Sequence, residues 1–371
     1  MMKITIVNTL PIPSGNASVN RLLSYSKELT ILGNDVTVLS SGRSNDKVGL
    51  TDGVKYRNYG NLGLINALIA ILKSIRNENP EVVILVSNSL LLIYPLWLTC
   101  KISGVKLLQE KSEFPFVLQK KSILGRLYAK FYVATTYKLF DGLIVMTKPL
   151  MAYFKDKVKK DARLFEMPMT VDCDRFKVLK NNSEFGDYIA YCGDMAGNKD
   201  GVVNLIEAYD LASKDIGDVN LLLIGGSSNP VEFQKILEYA KSLGNSGIKF
   251  YGRAERDVIP QLLVNAKALA LARPSSLQST GGFPTKLGEY LSTGNPVIVT
   301  KVGDIPNYLN NDNAFIVEPD DNRAFADAIV RVFENYDVAM QVGAKGMAVA
   351  NTVFNAKVQA ERLNVFLNSL L

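Results

Sequence analysis

The sequence of 371 residues contains no histidine, three cysteines and one tryptophan. The absence of histidine excludes Ser-His-Asp catalytic groups, histidine general bases and every zinc site that needs an imidazole. Cys100, Cys173 and Cys192 are widely separated and form no Cys-x-x-Cys pair. We therefore expect no disulfide framework, and we expect the protein in a reducing compartment, the cytoplasm.

Long hydrophobic runs are also missing. The most apolar stretch, residues 90–100, includes Pro95 and is far shorter than the roughly 20 residues that a membrane-spanning helix needs. We interpret it as a buried helix with a kink or a late start, and an interfacial segment is the alternative. The apolar run within residues 1–15 is too short for a signal peptide and is predicted to be a first strand.

The charge is only slightly unbalanced. Lys and Arg number 42 and Asp and Glu 36, which gives a net charge of +6. This excess suits a phosphate-bearing ligand or an anionic membrane surface and is too small to indicate nucleic acid. Hydrophobic residues make up 47% of the chain, which excludes disordered and collagen-like proteins.

Short β-rich runs alternate with amphipathic stretches along the whole chain, which predicts parallel sheets covered by helices. Buried strands are predicted in the first half at residues 4–8, 36–40, 82–86, 105–109 and 143–145. A second α/β series begins near residue 188, and from residue 322 the chain is predicted to be helical. We therefore predict two Rossmann-like domains with a ligand cleft between them, residues 1–172 and 173–355.

The segment 281–291, GGFPTKLGEYL, is the most informative part of the sequence. Pro284 suits the first position of a helix, whose free N–H groups and dipole favour a phosphate. Thr285 and Lys286 add a hydroxyl and a positive charge there, and Glu289 lies one turn further on, where it could accept hydrogen bonds from a ribose. The alternative is a plain helix start followed by a Lys286–Glu289 surface pair.

This segment resembles the nucleotide-sugar signature of retaining GT-B glycosyltransferases of family four, in the form seen among capsule and exopolysaccharide transferases. Glu289 matches the second glutamate of the Glu-x7-Glu pattern, which grips the ribose, whereas Gly281 stands in place of the first. The resemblance also implies that a C-terminal helix, within residues 356–371, crosses back to the N-terminal domain.

Other segments fit the same family. The segment 191–199 resembles the loop Gly-Arg-x4-Lys that holds the diphosphate; Lys199 is in place, but Asp194 stands where the arginine is expected. We hypothesise that Arg273 or Lys286 supplies the missing charge, and the alternative is that Arg273 only pairs with a neighbouring acid. The donor-binding residues predicted from the local chemistry, this hypothesis and the resemblance together are Gly15, Asn16, Gly193, Lys199, Gly226, Arg253, Arg273, Gly282, Phe283, Pro284, Thr285, Lys286 and Glu289.

Residues 167–176 resemble the interdomain connector of the family. Their Asp172-Cys173-Asp174 triplet looks like a metal-binding Asp-x-Asp, but its position favours a structural role. No metal and no other cofactor is expected, because protein cations and a helix terminus would replace the divalent ion.

The acceptor side is predicted in the N-terminal domain. The stretch 109–115 follows a strand, and Glu110 and Glu113 could orient an acceptor hydroxyl; a loop of solvated acids is the alternative. Residues 120–133 alternate basic and apolar side chains, which fits a helix lying on an anionic bilayer, although an ordinary core helix has the same pattern.

The function that the resemblance implies is transfer of a sugar, with retention of configuration, from a UDP- or GDP-linked donor to a glycan acceptor, lipid-linked, in bacterial surface polysaccharide synthesis. Lys199, Arg273 and Glu113 are the candidate catalytic residues. We expect a cytoplasmic enzyme, peripheral to the membrane and independent of metal. The alternatives are a nucleotide-sugar epimerase of the same fold and a non-catalytic sugar-binding protein.

Overall fold

The computed structural model describes residues 1–14, 16–115, 122–181, 183–195, 199–227 and 229–371. Its contacts divide the chain into two compact units. Unit 1 comprises Met1–Thr170 together with Ala356–Leu371, and unit 2 comprises Val171–Asn355.

Unit 1 is built on a sheet of eight strands in the order β3-β4-β2-β1-β5-β6-β7-β8. All neighbouring pairs are parallel except the β3–β4 hairpin. The strands are β1 (Lys3–Asn8), β2 (Asp35–Ser40), β3 (Val48–Thr51), β4 (Val54–Asn58), β5 (Val82–Val86), β6 (Lys106–Lys111), β7 (Gly142–Val145) and β8 (Arg163–Glu166). The helices before residue 170 are α1 (Ala17–Ile31), α2 (Leu64–Glu78), α3 (Leu90–Ser103), α4 (Ile123–Thr136) and α5 (Lys148–Phe154).

Unit 2 is built on a parallel sheet of six strands in the order β11-β10-β9-β12-β13-β14. The strands are β9 (Asp187–Asp194), β10 (Val219–Gly226), β11 (Ile248–Gly252), β12 (Ala268–Leu271), β13 (Val297–Thr300) and β14 (Phe315–Val317). The helices are α6 (Val202–Ala212), α7 (Pro230–Ser242), α8 (Ile259–Asn265), α9 (Leu277–Gly281), α10 (Thr285–Ser292), α11 (Asn322–Glu334) and α12 (Tyr336–Val349).

The last helix, α13 (Ala356–Asn368), belongs to unit 1, where it packs against α1. Ile4 and Ile6 of β1 face these two helices, and they form one buried cluster with Leu22 of α1 and Leu363 of α13. Each fully buried aliphatic side chain of this kind stabilises the fold by about 1.5–3 kcal/mol. The first and last helices of the described chain thus complete one core.

The prediction of two parallel-sheet Rossmann-like domains is confirmed. The strands expected from Val- and Ile-rich runs are present, because strands covered by helices on both faces are apolar throughout. The structure adds the β3–β4 hairpin and the short strands β8 and β14, which were not predicted.

The apolar stretch at residues 90–100 lies in α3, and Pro95 is inside that helix. The helix buries Leu92 and Leu96, while Leu91 and Leu98 are exposed. None of the helices in the described ranges combines the length and the apolar character that crossing a membrane requires.

Candidate functional site

The sheet of unit 2 has a topological switch point between β9 and β12. The chain runs from β9 outward through β10 and β11, then returns to the other side of β9 with β12. The two strands pair only at Ile189 with Ala268 and Ala190 with Leu269, so β9 runs on beyond the pairing. Ligands of such sheets bind at the carboxyl ends of the strands at the switch point.

The hydroxyl of Tyr290 bonds to the part of β9 that extends beyond its pairing with β12. It accepts the Cys192 N–H at 2.7 Å and lies 3.4 Å from the Cys192 carbonyl, to which it donates. Tyr290 is fully buried and lies on α10. This bond fixes α10 against the end of β9, and Lys286, four residues earlier on the same helix face, is directed toward that strand as well.

The helix α10 begins at Thr285, one residue later than predicted, and Pro284 is the N-cap residue. Proline cannot cap with a side-chain oxygen, and among the described residues no side-chain hydrogen bond caps the helix at this position. The N–H groups and the positive end of the helix dipole therefore remain available to an anion, which is the property that the sequence predicted.

Lys286 is held by two groups of the neighbouring segments. Its ammonium forms an ion pair with the Asp200 carboxylate and lies 3.2 Å from the Tyr191 hydroxyl. Its side chain is 14% exposed. Lys286 therefore pairs with Asp200 and not with Glu289, and the alternative of a Lys286–Glu289 surface pair is wrong.

A glycine makes this position of Lys286 possible. A Cβ added at Gly193 would lie 2.8 Å from Lys286 Cε, nearer than carbon atoms can approach, and would also strike the ammonium. Gly193 thus contributes the space that the lysine occupies.

Arg273 approaches Asp200 from the other side but is almost completely buried, with 1% of its side chain exposed. Its Nε donates to the Lys199 carbonyl at 3.2 Å and lies 3.9 Å from Asp200 Oδ1. Arg273 thus contacts both residues of the Lys199–Asp200 turn, and whether it also contributes charge to a donor stays a prediction. Of the two cations considered for the missing arginine, Lys286 is the one with exposed surface.

The protonation of Asp200 is controlled by these cations. Burial by itself would raise the pKa of its carboxyl, but Lys286, Arg273 and Lys199 together hold that pKa below its ordinary value. Asp200 is therefore an anion at neutral pH. The sequence analysis did not identify it.

Glu289 lies one turn beyond Lys286 and is a quarter exposed. Arg175 Nη1 lies 3.8 Å from its carboxylate. Burial raises the pKa of Glu289, and the charges of Arg175, Lys286 and Arg256 oppose that rise. A carboxylate in this setting can accept hydrogen bonds from a diol, as predicted for the ribose.

Gly226 and Arg253 lie together at the carboxyl ends of β10 and β11. Arg253 is exposed, its Nη2 donates to the Ser227 carbonyl at 3.3 Å, and its side chain lies against Gly226. The two residues therefore belong to the same sheet edge as Gly193, where they were predicted.

The side chain of Phe283 lies in a cluster of aromatic rings. It is buried among the rings of Tyr308 and Phe354, with centroids 5.8 and 5.3 Å away. This side chain therefore belongs to the core of unit 2, and the donor-binding role predicted for Phe283 stays a prediction. Gly282, next to it, ends α9 and donates its N–H to the Gln278 carbonyl.

In unit 1, the predicted loop after β1 is described only in part, and Gly15 lies outside the described residues. The Asn16 side chain caps α1, since its Oδ1 accepts the Ser18 N–H at 3.0 Å. Because the carbonyl oxygen of the side chain is engaged in this cap, the structure gives Asn16 a role in starting the helix.

The two glutamates after β6 have different environments. Glu113 is half-buried in the loop that follows the strand, where it was predicted. Glu110 is buried, pairs with Arg21 at 2.6 Å and accepts the Tyr25 hydroxyl at 2.7 Å. The suggestion that Glu110 orients an acceptor is therefore wrong, because both its oxygens are bonded inside the core.

Lys111, which the sequence analysis passed over, is buried at the carboxyl end of β6. Its ammonium donates to Asn88 Oδ1 and lies over the ring of Tyr137 at 5.2 Å. Tyr132 donates to the Asn88 carbonyl at 3.2 Å. Burial lowers the pKa of Lys111 to about 7, since no carboxylate of the described chain pairs with it.

The Asp172-Cys173-Asp174 triplet has structural contacts. Asp172 Oδ1 accepts the Asp174 N–H and caps a short 3₁₀ turn, and Asp174 pairs with Lys177. Cys173 is buried beside Ser292. These contacts favour the connector interpretation over a metal-binding Asp-x-Asp.

Residues 186–335 match the sequence model of the family described as glycosyl transferases group 1. This range contains every candidate residue of unit 2, from Gly193 to Glu289. No curated protein sequence matches the chain.

Solved structures resemble the chain over its full length. Sucrose-phosphate synthase from Thermosynechococcus elongatus is 16% identical, with a TM-score of 0.79, over 100% of this chain and 99% of that one. Anabaena HepE in complex with UDP-glucose is 14% identical, with a TM-score of 0.76, over 100% of both chains. WaaG, a glycosyltransferase involved in lipopolysaccharide biosynthesis, is 14% identical, with a TM-score of 0.70, over 98% of this chain and 99% of that one.

This chain has the GT-B fold. Within that fold, the site residues that sequence reasoning missed are Asp200, Tyr191, Tyr290 and Arg175. Only Asp200 carried a local signal, because it follows Lys199 directly in the loop expected to hold the diphosphate. The others act through contacts between distant segments.

Proposed function

We propose that the protein is a retaining glycosyltransferase that moves a sugar from a UDP- or GDP-linked donor to a glycan acceptor. The observation that carries the proposal is the uncapped start of α10 with Lys286 beside Gly193, at the switch point of the unit 2 sheet. The match to the group 1 glycosyl transferases covers this whole site, and HepE, of the same fold, binds UDP-glucose.

The chemistry assigned to these groups is electrostatic. The donor diphosphate lies at the start of α10, where Lys286 and the helix N–H groups stabilise the charge that develops on the leaving group. The acceptor hydroxyl attacks the anomeric carbon as the bond to the diphosphate breaks, and its proton passes to the leaving phosphate oxygen. This route needs no histidine and retains the configuration at that carbon.

Glu289 and Lys199 have supporting roles in the proposal. Glu289 accepts hydrogen bonds from the ribose, one helix turn from the phosphate position. Lys199, an exposed cation on the turn fixed by Arg273, adds positive charge to the same region. Glu113 of unit 1 is the candidate to orient the acceptor.

We further propose that the acceptor is lipid-linked and serves surface polysaccharide synthesis, and that α4 rests on the cytoplasmic face of an anionic membrane. Its apolar side chains Leu124, Leu127 and Phe131 are 80, 57 and 55% exposed. Arg126 and Lys130 are also exposed, and the helix has no acidic residue. The predicted helix started at Lys120, but Lys120 and Lys121 lie outside the described residues.

Vesicle flotation tests the membrane proposal. Wild type should float with vesicles containing phosphatidylglycerol and remain behind with phosphatidylcholine alone. Leu124→Ser combined with Leu127→Ser should abolish flotation, whereas Val365→Ser, at an exposed apolar site on α13, should not. Equal flotation of both variants would exclude α4 as the contact.

Nucleotide binding and product analysis test the main proposal. Isothermal titration should show binding of UDP or GDP by wild type and a loss in Lys286→Met. Lys267→Met is the matched control, because Lys267 pairs with Asp187 at the opposite, amino-terminal edge of the same sheet. Slow hydrolysis of the matching nucleotide sugar supports a transferase, epimer formation would indicate the epimerase, and binding without reaction a sugar-binding protein.

The proposal includes catalysis without a divalent metal, since protein cations take the position of the ion. Turnover should therefore survive EDTA at a concentration that inactivates a metal-dependent transferase assayed in parallel. Loss of turnover that added Mg²⁺ or Mn²⁺ restores would overturn this part.

A further inference from the structure

Asp200 is an acid that lies between three cations of the candidate site. Lys286 from α10 pairs with its Oδ2, and Arg273, after β12, lies 3.9 Å from its Oδ1. Its neighbour Lys199 adds a third positive charge, and the Tyr191 hydroxyl of β9 lies 3.4 Å from Oδ2. An acid at this position weakens the attraction of the site for any anion.

The cluster consists of Lys286, Arg273, Lys199 and Asp200, and its net charge follows from these four side chains. Three cations and one carboxylate give two net positive charges as long as Asp200 is ionised, and its lowered pKa keeps it so. Each phosphate of a nucleotide-sugar diphosphate carries one negative charge, so the donor carries two. A released nucleoside diphosphate has a terminal phosphate with a second pKa of about 6 and carries close to three at neutral pH.

We propose that Asp200 sets the charge of the site so that it matches the two charges of a nucleotide-sugar donor and holds the released nucleoside diphosphate less tightly. This inference rests on the proposed function and deepens it by assigning a residue to product release. Asp200 also orients Lys286 and is therefore a positioning residue. Its negative charge weakens the binding of an anionic ligand, whereas the positive charge of Lys286 strengthens it.

A role of Asp200 in setting the charge of the site and a purely structural role predict opposite effects on ligand binding. If Asp200 only held Lys286 in place, replacing it would weaken every anionic ligand. If it sets the charge, Asp200→Asn should strengthen binding, and the gain should be larger for the ligand with more charge. Over about 6 Å at an effective dielectric constant of about 40, between the values for bulk water and for a protein surface, one additional charge corresponds to about a tenfold change in affinity.

The experiment is titration of wild type and Asp200→Asn with UDP, GDP, inorganic diphosphate and the sugar derivative of whichever nucleotide wild type binds. The gain in affinity that Asp200→Asn shows over wild type should be about tenfold larger for the nucleoside diphosphate than for its sugar derivative. Asp187→Asn, which removes the carboxylate at the opposite edge of the sheet, should leave both affinities unchanged.

The pH dependence supplies a second measurement. The difference between wild type and Asp200→Asn for the nucleoside diphosphate should grow from about pH 5.5 to about pH 7.5, as the terminal phosphate loses its second proton. The difference for the nucleotide sugar should stay constant, because neither phosphate titrates in this range. Steady-state assays should show stronger inhibition by the released nucleotide.

The outcomes separate this inference from the function on which it rests. Unchanged or weaker nucleoside diphosphate binding by Asp200→Asn, in protein with the wild-type unfolding temperature, overturns the role of Asp200 alone. If that variant does not fold, Asp200→Ser is read by the same criteria. Failure of wild type to bind any of the nucleotides, their sugar derivatives or inorganic diphosphate overturns both proposals.

Discussion

The ammonium of Lys286 lies in the space into which a side chain at residue 193 would project, so the lysine and Gly193 depend on each other. Gly193→Ala should displace the Lys286 ammonium from Asp200 and reduce nucleoside diphosphate affinity, but by less than Lys286→Met does, because the displaced flexible side chain keeps its charge. The loss of a charge-assisted hydrogen bond corresponds to roughly a tenfold to hundredfold change in the dissociation constant.

Isothermal titration checks this coupling with a double-mutant cycle. Because both changes act on the same interaction, the double variant should bind no more weakly than Lys286→Met alone. Additive losses, or wild-type binding by Gly193→Ala, would contradict the relationship.

Glu289→Gln should separate recognition of the nucleoside from recognition of its phosphates. The substitution removes the charge that a ribose diol is proposed to contact, so UDP or GDP affinity should fall roughly tenfold. Inorganic diphosphate, which has no ribose, should bind as it does to wild type. Glu318→Gln, at a pair with Lys301, serves as the control. Equal losses for both ligands would show that Glu289 acts on the phosphate position instead.

Phe283→Ala should destabilise the protein by about 3–5 kcal/mol, because it removes a ring from the cluster with Tyr308 and Phe354. Urea unfolding measures this loss. Phe283→Leu, which keeps much of the volume, should lose less stability and bind nucleotide like wild type. Weakened nucleotide binding by Phe283→Leu at normal stability would show that this side chain also contributes to the donor site.

Lys111 should make stability depend on pH. Burial lowers its pKa from 10.5 to about 7, so between these values the unfolded chain binds a proton that the folded chain does not. The contribution of Lys111 to stability therefore rises with pH across this window, by up to about 1.4 kcal/mol per pH unit, and is least favourable below about pH 7.

Urea unfolding of wild type and Lys111→Met measures the effect. The methionine variant should have its greatest advantage in stability near neutral pH, and that advantage should shrink toward about pH 9. Lys101→Met, on the last turn of α3 where the lysine stacks on Trp97, is a control that should show no such trend. Parallel pH profiles for wild type and Lys111→Met would contradict the prediction.

The repeated α/β pattern was predictable because burial on both faces of a parallel sheet leaves a visible run of Val and Ile, as in β5. The β3–β4 hairpin was missed because Val48 and Leu50 are exposed on a short edge strand. Asp52-Gly53 was nevertheless a usable signal, since both residues adopt the positive φ that a two-residue hairpin turn requires.

The candidate site was predictable only where its residues are consecutive. Pro284, Thr285 and Lys286 form one helix start, so local rules place them. The partner of Lys286 comes from residue 200, and the bond that fixes α10 comes from Cys192, far away in sequence. Burial could not be predicted from the local sequence: Phe283 and Arg273 are residue types that often contact ligands, but both side chains are buried inside unit 2.

The inclusion of α13 in unit 1 bears on how the chain is synthesised. On the ribosome, residues 1–170 emerge first, but the apolar face of α1 that α13 covers stays exposed until residue 356 and its successors follow. Unit 2, continuous in sequence, can fold in the meantime. The core of unit 1 is therefore completed only when residues 356–371 have been made, and until then the uncovered face of α1 is apolar surface of the kind that favours aggregation.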